Sequence, residues 1–565
     1  MLNFSAQHSV SKSHKLPFLP KMLPVFILLL GAFLRLFLLG SVPGGMHQDE
    51  SFVAWNAFSL FHDGMDSAGK IFPVYLSDWG DGHSALYSWL LLPLLALNNG
   101  DTNPFLSRLP QAAVAILTIW TVYCMLKRMF GWKAALWGEF LLAVCPWHIM
   151  MSRWGLDANL APGFLILGMY FFVRGLENRR FLPLAALTYG LSLYCYAVIW
   201  PVVPVILFLQ ILYGFWHQKL SLNRWSISSA AILFVLALPL LLFVLVNSGL
   251  IPEIRLPFMT IPAMSGYRGG ELAWSLTGMW SNLKRTGSLL LHQNIGAPYD
   301  ILLPYGLFYN IGRGFIVIGF FCLVWNLVKK LRKREFCWEY FIFAQLVGAG
   351  VNVLLVTAVL HQVNSLFIPL VLCEAYGVWS LVSFAARHLD KFSLKHIHIK
   401  FSRAAAAGMA GIYLICLLFF QRSYYTDYKE LVSDYFGQGV EEAVDFAMEQ
   451  SEKSTLQAVS AQGRVKAGAS RKRILRDIVV EKGAQWPRVL LFSETEAPEY
   501  LENVEYASRP APAKFSKDGI TFHIGVDQKN IRKDRIYIIY YNAVQSFRKN
   551  FNLTRFYDWY VAVPK

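Results

Sequence analysis

The sequence predicts a polytopic α-helical membrane protein with about eleven transmembrane helices, followed by a C-terminal soluble α/β domain. Hydrophobic residues make up 55% of the 565 residues, charged residues only 16%, and the mean hydropathy is +0.40. Soluble chains are about 25% charged, so most of this chain is not surrounded by water. Long apolar runs recur from residue 23 to residue 420, and the composition becomes that of a soluble domain from Gln421 onward.

The apolar runs have lengths suited to a hydrocarbon core about 30 Å thick. They predict membrane spans at 23–41, 111–126, 134–151, 159–173, 182–199, 201–216, 227–248, 305–328, 338–359, 364–385 and 404–420. A net charge of +16 would suggest nucleic-acid binding in a soluble protein, but here the basic residues flank the spans. The seven cysteines form no CxxC pair, so neither a zinc site nor a disulfide framework is indicated.

The distribution of lysine and arginine predicts the topology. With eleven spans, the segments on the side of the N-terminus carry 21 Lys and Arg residues and the opposite loops up to residue 363 carry 8. Because short loops rich in Lys and Arg stay in the cytoplasm, the N-terminus (1–22) is expected to be cytoplasmic. A twelfth apolar segment, Ser84–Leu97, would invert every later loop if it crossed, so we expect it at the outer surface. Residues 42–110 then form the first outer loop.

The segment 421–565 is expected to form an extracytoplasmic α/β domain. Helical spacing of apolar residues predicts a helix over Gly437–Gln450 and a second helical stretch near Ala543–Phe551. Runs of β-branched and aromatic residues predict strands at Arg488–Ser493, Ile520–Ile524, Arg535–Tyr541 and Trp559–Val563. The domain contains no phosphate-binding loop and no nucleophile motif, and its role is not indicated by the sequence.

Acidic residues are concentrated in the first outer loop, which contains seven acids but only Lys70 and Arg108 as basic residues. Asp49 and Glu50 stand at the start of a segment, DESFVAWNAFSLF, whose apolar residues suit a helix lying on the bilayer surface. Asp49 could simply cap this helix, with Glu50 favoured by the helix dipole. Alternatively, an acid held at a membrane surface could act as a base towards an acceptor hydroxyl.

Further polar residues are expected on the same side of the membrane. Arg108 stands at the outer start of the second span, and the hairpin between spans three and four contains Arg153 and Asp157. Guanidinium groups stabilise the negative charge of a lipid-linked phosphate leaving group, although arginines at span ends also snorkel to the interface for structural reasons alone. Asp49 and Asp157 would permit a divalent cation, but no ligand spacing requires one. Arg35, inside span one, needs either a structural partner or a hydrated cavity.

At these residues the sequence resembles the GT-C superfamily of glycosyltransferases, in the branch of protein O-mannosyltransferases and lipid A aminoarabinose transferases. The resemblance covers roughly residues 20–425. It rests on His47–Glu50, Trp79–Trp89, Ser107–Pro110, Ser152–Asp157 and His361–Pro369. In one place the chain departs from the family pattern: relatives show His-Pro-Pro-Leu where this sequence has His83-Ser-Ala-Leu86.

The resemblance implies a GT-C fold, a polyprenyl- or dolichyl-phosphate sugar donor and an inverting transfer on the outer face. It implies that Asp49 is the catalytic base, that Arg108 lies near the donor phosphate and that Asp157 is the acid of the second outer loop. On this reading Arg153 joins Arg108 on the leaving phosphate, and Glu50 and Asp157 orient substrate or bind a cation. Four more residues are expected to bind substrate: Lys70, His83, His361 and Asn364.

The predicted activity is therefore transfer of a sugar from a lipid-phosphate carrier to a protein, a cell-wall polymer or a lipid outside the cytoplasm. A transporter of lipid-linked sugars is the alternative, because Arg35, Glu139 and Glu374 lie within predicted spans. Transporters place polar groups near the midplane, however, whereas most acids of this chain gather in one outer loop. A third reading is a binding protein that works through residues 421–565 and has an inactive membrane part.

Overall fold

The computed structural model describes residues 18–79, 82–266, 272–293, 297–390, 400–462, 474–525 and 530–565. Most of the predicted cytoplasmic N-terminal segment (1–17) and Asp81 of the first outer loop lie outside this part of the chain. Two bodies are built from the described residues. A bundle of apolar helices extends to residue 425, and a mixed β-sheet domain follows it.

The helices of the bundle alternate with short connections and two small hairpins. The helices are α1 Phe18–Leu36, α2 Gln48–His62, α3 Leu86–Leu97, α4 Pro104–Phe130, α5 Trp132–Val144, α6 Pro146–Met151, α7 Ala161–Glu177, α8 Leu182–Ser192, α9 Val202–Trp216, α10 Arg224–Asn247, α11 Leu276–His292, α12 Tyr309–Arg332, α13 Glu339–Leu355, α14 Phe367–His388 and α15 Phe401–Tyr425. The hairpins pair β1 Tyr75–Leu76 with β2 His83–Ser84 and β3 Ile254–Leu256 with β4 Met259–Ile261.

Seven helical segments in the described part of the chain are long and apolar enough to cross a membrane. They are Pro104–Phe130, Asp157–Glu177, Ala197–Trp216, Arg224–Asn247, Tyr309–Arg332, Asn364–His388 and Phe401–Tyr425, and each coincides with a predicted span. Met22–Leu36 and Glu339–Leu355 are shorter apolar helices that also fall on predicted spans. The polytopic helical fold is confirmed at this level, while the number of eleven crossings and their orientation stay predictions.

Two predicted spans are not continuous helices. The span at 182–199 contains only α8 and a 3₁₀ turn at Ala197–Ile199. The span at 134–151 breaks between α5 and α6, where Pro146 has no N–H to donate to the carbonyl of Leu142. The next N–H, that of Trp147, donates instead to Leu307 O at 3.1 Å. The broken end therefore exposes main-chain carbonyls inside the bundle.

Helix α2 does not lie on the bilayer surface as its sequence suggested. Its residues from Glu50 to Leu60 are all buried, because the helix is packed between the bundle and the C-terminal domain. The neighbouring segment Ser84–Leu97 forms α3, whose 12 residues span about 18 Å. This is shorter than a hydrocarbon core of about 30 Å, as are the helices of some predicted spans, so the non-crossing of this segment stays a prediction.

The C-terminal domain is a seven-stranded mixed sheet covered by helices. Its helices are α16 Asp427–Leu431, α17 Ser433–Phe436, α18 Val440–Gln462, α19 Trp486–Phe492, α20 Ala497–Asn503 and α21 Val544–Phe547. Its strands are β5 Asp477–Val480, β6 Glu505–Ser508, β7 Ala511–Lys517, β8 Ile520–Ile524, β9 Arg535–Tyr540, β10 Phe551–Phe556 and β11 Trp559–Pro564. The order is β10-β11-β9-β5-β8-β7-β6, with β5 parallel to both of its neighbours.

The prediction of an α/β domain is confirmed, with two local corrections. The predicted strand Arg488–Ser493 is helix α19, since a short continuous apolar run fits a buried helix as well as a buried strand. Pro487 in the first turn of α19 is a favoured helix-start residue and was the overlooked signal. The predicted helical stretch 543–551 contains only the four-residue α21, and Phe551 already begins β10.

Candidate active site

Helix α2 begins with a capping box made by His47 and Glu50. His47 Nδ1 accepts the Asp49 N–H at 3.3 Å, and Glu50 Oε2 accepts the His47 N–H at 3.1 Å. These contacts satisfy N–H groups that a helix start leaves free. Burial lowers the pKa of His47, which keeps Nδ1 able to accept. The cap is therefore His47, and the carboxylate of Asp49 takes no part in capping.

Asp49 and Glu50 point into different environments. The Asp49 side chain is 38% exposed and lies 3.5 Å from His47 Nδ1. It accepts a hydrogen bond from Trp79 Nε1 at 3.0 Å. The Glu50 side chain has no exposed surface, and its Oε1 also accepts the Gly155 N–H at 3.0 Å. Only Asp49 of this pair could meet a substrate in the observed arrangement.

Arg108 is fully buried and pairs with Glu50. Its Nε donates to Glu50 Oε1 at 2.8 Å and one terminal nitrogen donates to Oε2 at 3.1 Å. The remaining donors reach the carbonyls of Leu39, Pro43 and Gly45, at 2.5 to 3.0 Å. A guanidinium group has five N–H donors, and all of those of Arg108 are used. Arg108 therefore holds the turn between α1 and α2, and a donor phosphate would have to replace one of these partners; the predicted phosphate contact stays a prediction.

Arg153, like Arg108, donates hydrogen bonds to main-chain carbonyls. Its terminal nitrogens donate to four carbonyls at the end of α1 and in the turn after it: Leu34, Arg35, Leu38 and Val42, at 2.9 to 3.2 Å. Carbonyls at a helix C-terminus lack intrahelical partners, and a buried cation there is favourable. The terminal nitrogens of Arg153 thus hold the end of α1, and its predicted role on a leaving phosphate stays a prediction.

Arg35 finds its partners at the break between α5 and α6. It donates to Leu142 O at 3.1 Å and to Ala143 O at 2.9 Å, and contacts His148 Nδ1 at 2.6 Å. The third carbonyl of the broken end, that of Val144, accepts from the Tyr309 hydroxyl at 3.0 Å. Neither an acid nor a ligand is required to explain the charge of Arg35.

Glu374 and Glu139, the two acids named with Arg35 for the transporter alternative, have different surroundings. Glu374 accepts a hydrogen bond from the Tyr413 hydroxyl. Glu139 is buried, and its carboxyl has no hydrogen-bond partner among the described residues. No continuous polar path through the bundle is formed by these contacts, so they add nothing to the transporter alternative.

Asp157 contacts the main chain of the first outer loop beside His83. Asp157 is buried, and its two oxygens accept the N–H groups of Ser84 at 3.1 Å and Ala158 at 2.7 Å. His83 Nδ1 lies 3.4 Å from Asp78 Oδ2. Burial alone would lower the pKa of His83, but Asp78 and the more distant acids Asp157 and Asp66 raise it. Asp157 ties the loop to the start of α7.

Comparison with known proteins shows which family a part of this chain is similar to. Residues 82–243 match the model of the family described as dolichyl-phosphate-mannose-protein mannosyltransferase. The match covers less than a third of the chain, so it shows a glycosyltransferase family to which this segment is similar. The predicted resemblance is thereby confirmed. A comparison with curated protein sequences found no match.

Solved structures have folds similar to that of this chain. ArnT from Cupriavidus metallidurans in the apo state matches with a TM-score of 0.50 and 12% identity, over 96% of this chain and 97% of ArnT. ArnT bound to undecaprenyl phosphate matches with the same TM-score and coverage at 13% identity. The Archaeoglobus fulgidus oligosaccharyltransferase matches with a TM-score of 0.48 and 13% identity, over 85% of this chain and 64% of that one.

Lys70 is partly exposed and has an acidic partner. Its Nζ lies 2.6 Å from Glu253 Oε2, and 20% of its side chain is exposed. Glu253 also pairs with Arg255, whose side chain is 74% exposed. Burial would raise the pKa of Glu253, but hydrogen bonds from Lys70, the Ala263 N–H and Arg255 lower it to about 2. Lys70 differs from Arg108 and Arg153 in having one carboxylate as its partner rather than a set of main-chain carbonyls.

His361 and Asn364 lie where the loop before α14 meets the loop before α7. Asn364 Nδ2 donates to Ala158 O at 2.8 Å, which places it one residue from Asp157. The His361 ring packs 6.5 Å from that of Trp154 and 6.2 Å from that of Tyr196. The structure therefore brings the predicted residues of three separate loops into one region, although Asn364 is engaged with the main chain.

The described residues contain no group of three or more His, Cys, Asp or Glu side chains arranged to hold a metal ion. Asp157 has both carboxylate oxygens on main-chain N–H groups, so its oxygens already have partners. Of the two acids named for an optional cation, Asp49 is the one with an exposed side chain. The optional divalent cation stays a prediction.

The sequence interpretation missed the contribution of the C-terminal domain. Arg488 of α19 is buried and donates to Met46 O at 2.6 Å and to Tyr435 O at 2.6 Å. Burial lowers its pKa to about 10, which still leaves it charged at neutral pH. Trp486 packs with ring centroids 5.2 Å from Trp79, the residue that donates to Asp49. No local motif marked the contacts with Met46 and Trp79, because they join segments more than 400 residues apart.

Arg108→Met is expected to destabilise the protein by about 3–5 kcal/mol, because it leaves the buried Glu50 carboxylate without its charged partner. Arg128→Met on the same helix is the matched control. Arg128 pairs with Glu177 at 2.5 Å, but the two side chains are 34% and 42% exposed. Such pairs contribute about 0–1 kcal/mol. Thermal unfolding of the purified variants in detergent measures both, and equal effects would contradict the prediction.

Asp300→Asn is expected to stabilise the protein at alkaline pH. Burial raises the pKa of Asp300 to about 7 in the folded state, well above its ordinary value of 3.8. The unfolded chain therefore releases this proton at lower pH, and wild-type stability falls as the pH rises from about 4 to about 7. The gain of the variant in Tm should grow across that window, reach several degrees and level off above it. A constant gain at every pH would contradict this assignment.

Proposed function

We propose that this protein is a glycosyltransferase. It moves one sugar from a polyprenyl-phosphate donor to a hydroxyl group of an extracytoplasmic acceptor, with inversion at the anomeric carbon. The matched family segment and the ArnT-like fold support the lipid-linked donor, as does the relative solved with undecaprenyl phosphate. The single observation that carries the proposal is the exposed carboxylate of Asp49 beside the fully engaged Glu50.

Asp49 serves as the general base in this proposal. Its carboxylate takes the proton of the acceptor hydroxyl while that oxygen attacks the anomeric carbon. The bond between this carbon and the phosphate oxygen breaks in the same step, and polyprenyl phosphate leaves. Because the attack is a single displacement from the opposite face, the configuration inverts. The Trp79 hydrogen bond holds the carboxylate in place.

Glu50, Arg108 and Arg153 act as positioning residues rather than as substrate contacts. Together they fix the end of α1, the turn before α2 and the first turn of α2, on which Asp49 stands. The donor phosphate would instead meet Lys70, whose ammonium group is partly exposed and can exchange Glu253 for a phosphate oxygen. His83, His361 and Asn364 border the region in which the sugar would lie.

The test is to incubate the purified protein with radiolabelled polyprenyl-phosphate monosaccharides and membrane extracts, and to identify the labelled product. We expect label to move from the lipid fraction to an acceptor, with release of polyprenyl phosphate. A protein, a wall polymer and a lipid acceptor are separated by protease treatment and solvent extraction. If no donor in the panel loses its sugar while the protein remains folded, the proposed function is wrong.

A further inference from the structure

A small cavity lies next to the Asp49 region, between the α6–α7 connection and the loops that precede α12 and α14. Its walls include Trp154, Asn159, Tyr299, Asp300 and His361. The space inside, about 10 Å³ for the centre of a water molecule, is sufficient for a single water-sized group. A whole sugar ring does not fit, but one substituent of a ring does.

Two of the residues that line this cavity carry polar atoms that have no hydrogen-bond partner within the described residues. They are Asp300 Oδ1 and Trp154 Nε1, and both side chains are buried, with exposed fractions of 4% and 6%. Buried polar atoms are normally paired, and leaving them unpaired destabilises a fold. Asn159 in the same cavity follows the rule, since its Nδ2 donates to Met151 O and Trp154 O at 3.3 Å. The two unpaired atoms therefore suggest a ligand.

The chemistry of the two atoms selects the kind of group that would bind. An indole N–H can only donate, and the Asp300 carboxyl, whose pKa of about 7 leaves it partly ionised at neutral pH, can only accept in its ionised form. A hydroxyl group accepts one hydrogen bond and donates another, so it matches both kinds of atom. An ammonium group would leave the Trp154 N–H unpaired, and a methyl group would leave both unpaired.

The cavity is also close to the proposed catalytic base. His47 connects the two, because its ring lies 5.0 Å from that of Trp154 and its Nδ1 lies 3.5 Å from Asp49 Oδ2. The Tyr299 ring, next in sequence to Asp300, packs 5.5 Å from His47. The cavity therefore lies one side chain away from the Asp49 carboxylate, within the reach of a sugar ring.

We infer that the cavity between Trp154 and Asp300 receives one hydroxyl group of the donor sugar and thereby selects which sugars are transferred. This inference rests on the proposed function. It assigns binding roles to Trp154 and Asp300, two residues to which the sequence analysis gave no role. The pair fixes the sugar ring by one substituent, while the lipid and phosphate are held elsewhere.

The experiment measures binding of polyprenyl-phosphate mannose, glucose and arabinose, and of polyprenyl phosphate without a sugar, to the full chain in nanodiscs. Asp300→Leu and Trp154→Phe each keep the approximate size of the wall but remove one partner of the hydroxyl. We expect both variants to bind the preferred sugar-bearing lipid about tenfold more weakly, the effect of losing one hydrogen bond of about 1.4 kcal/mol. Binding of the bare lipid should be unchanged, and Asp101→Asn, at an exposed acid of the first outer loop, serves as the control.

Donors that lack a single hydroxyl group identify the substituent. For the wild type, one deoxy donor should bind about tenfold more weakly, and Asp300→Leu should no longer distinguish it from the parent. Equal weakening of sugar-bearing and bare lipid, or no change in either variant, would overturn the inference while leaving the proposed function intact. Loss of discrimination towards acceptor analogues alone would assign the hydroxyl to the acceptor and overturn it as well. A wild type that transfers no sugar at all would refute the proposed function instead.

Discussion

Asp49→Asn is expected to lower the rate of sugar transfer by about two to four orders of magnitude, the contribution that a positioned general base makes to catalysis. The amide has nearly the same shape as the carboxylate and can still accept the Trp79 N–H, but it cannot take a proton from an acceptor hydroxyl. Because the Asp49 side chain is 38% exposed and is not the helix cap, the substitution should not disturb the fold.

The measurement is the initial rate of label transfer, with donor binding and the Tm of each variant determined alongside. We expect donor binding and the Tm of Asp49→Asn to match the wild type. Asp101→Asn, an exposed acid of the same loop, should leave the rate unchanged. Turnover at the wild-type rate by Asp49→Asn would remove Asp49 from the mechanism.

Removal of residues 440–565 is expected to abolish transfer, although the sequence did not indicate that this domain contributes to catalysis. Met46, Phe52, Trp55 and Phe58, in and before α2, are buried in one hydrophobic cluster with the side chains of the C-terminal sheet. Trp55 Nε1 also donates to Thr495 O at 2.8 Å. Exposing a buried side chain of this size costs about 1.5–3 kcal/mol, so α2 would not keep Asp49 in place without the domain.

A point substitution separates this effect from general misfolding. Arg488→Met leaves the carbonyls of Met46 and Tyr435 buried without donors, at about 1–3 kcal/mol for each unpaired group. We expect a loss of transfer of about tenfold or more, because Met46 belongs to the turn that precedes Asp49. Arg509→Met, at an exposed arginine of the same domain, is the matched control.

The readouts are transfer rate, donor binding and Tm in detergent. A truncated protein that retains wild-type turnover would make the domain an accessory and contradict the prediction. If Arg488→Met and Arg509→Met behaved alike, the contact between Arg488 and the turn before α2 would have no functional weight. The same comparison tests the third reading of the sequence, in which residues 421–565 act alone as a binding module.

The positions of the membrane helices were predictable because each span needs only its own run of apolar residues. The same locality made Ile520–Ile524 and Arg535–Tyr540 recognisable as strands. The break at Pro146 was visible in principle, since proline cannot donate a hydrogen bond. What it exposes was not visible, because Arg35 and Tyr309 reach the broken end from helices more than 100 residues away in either direction.

By itself, the sequence determined the class of the protein, the order of its helices and the segments that gather around Asp49, since composition, apolar runs and motif order are properties of the chain alone. Only the tertiary structure decided which acid is exposed and which arginines are engaged. Asp49 and Glu50 are neighbours in sequence, and their difference arises from Arg108, Gly155 and Trp79, which approach from other elements. The environment of a charge is set by the groups that surround it in space, and those groups come from distant parts of the chain.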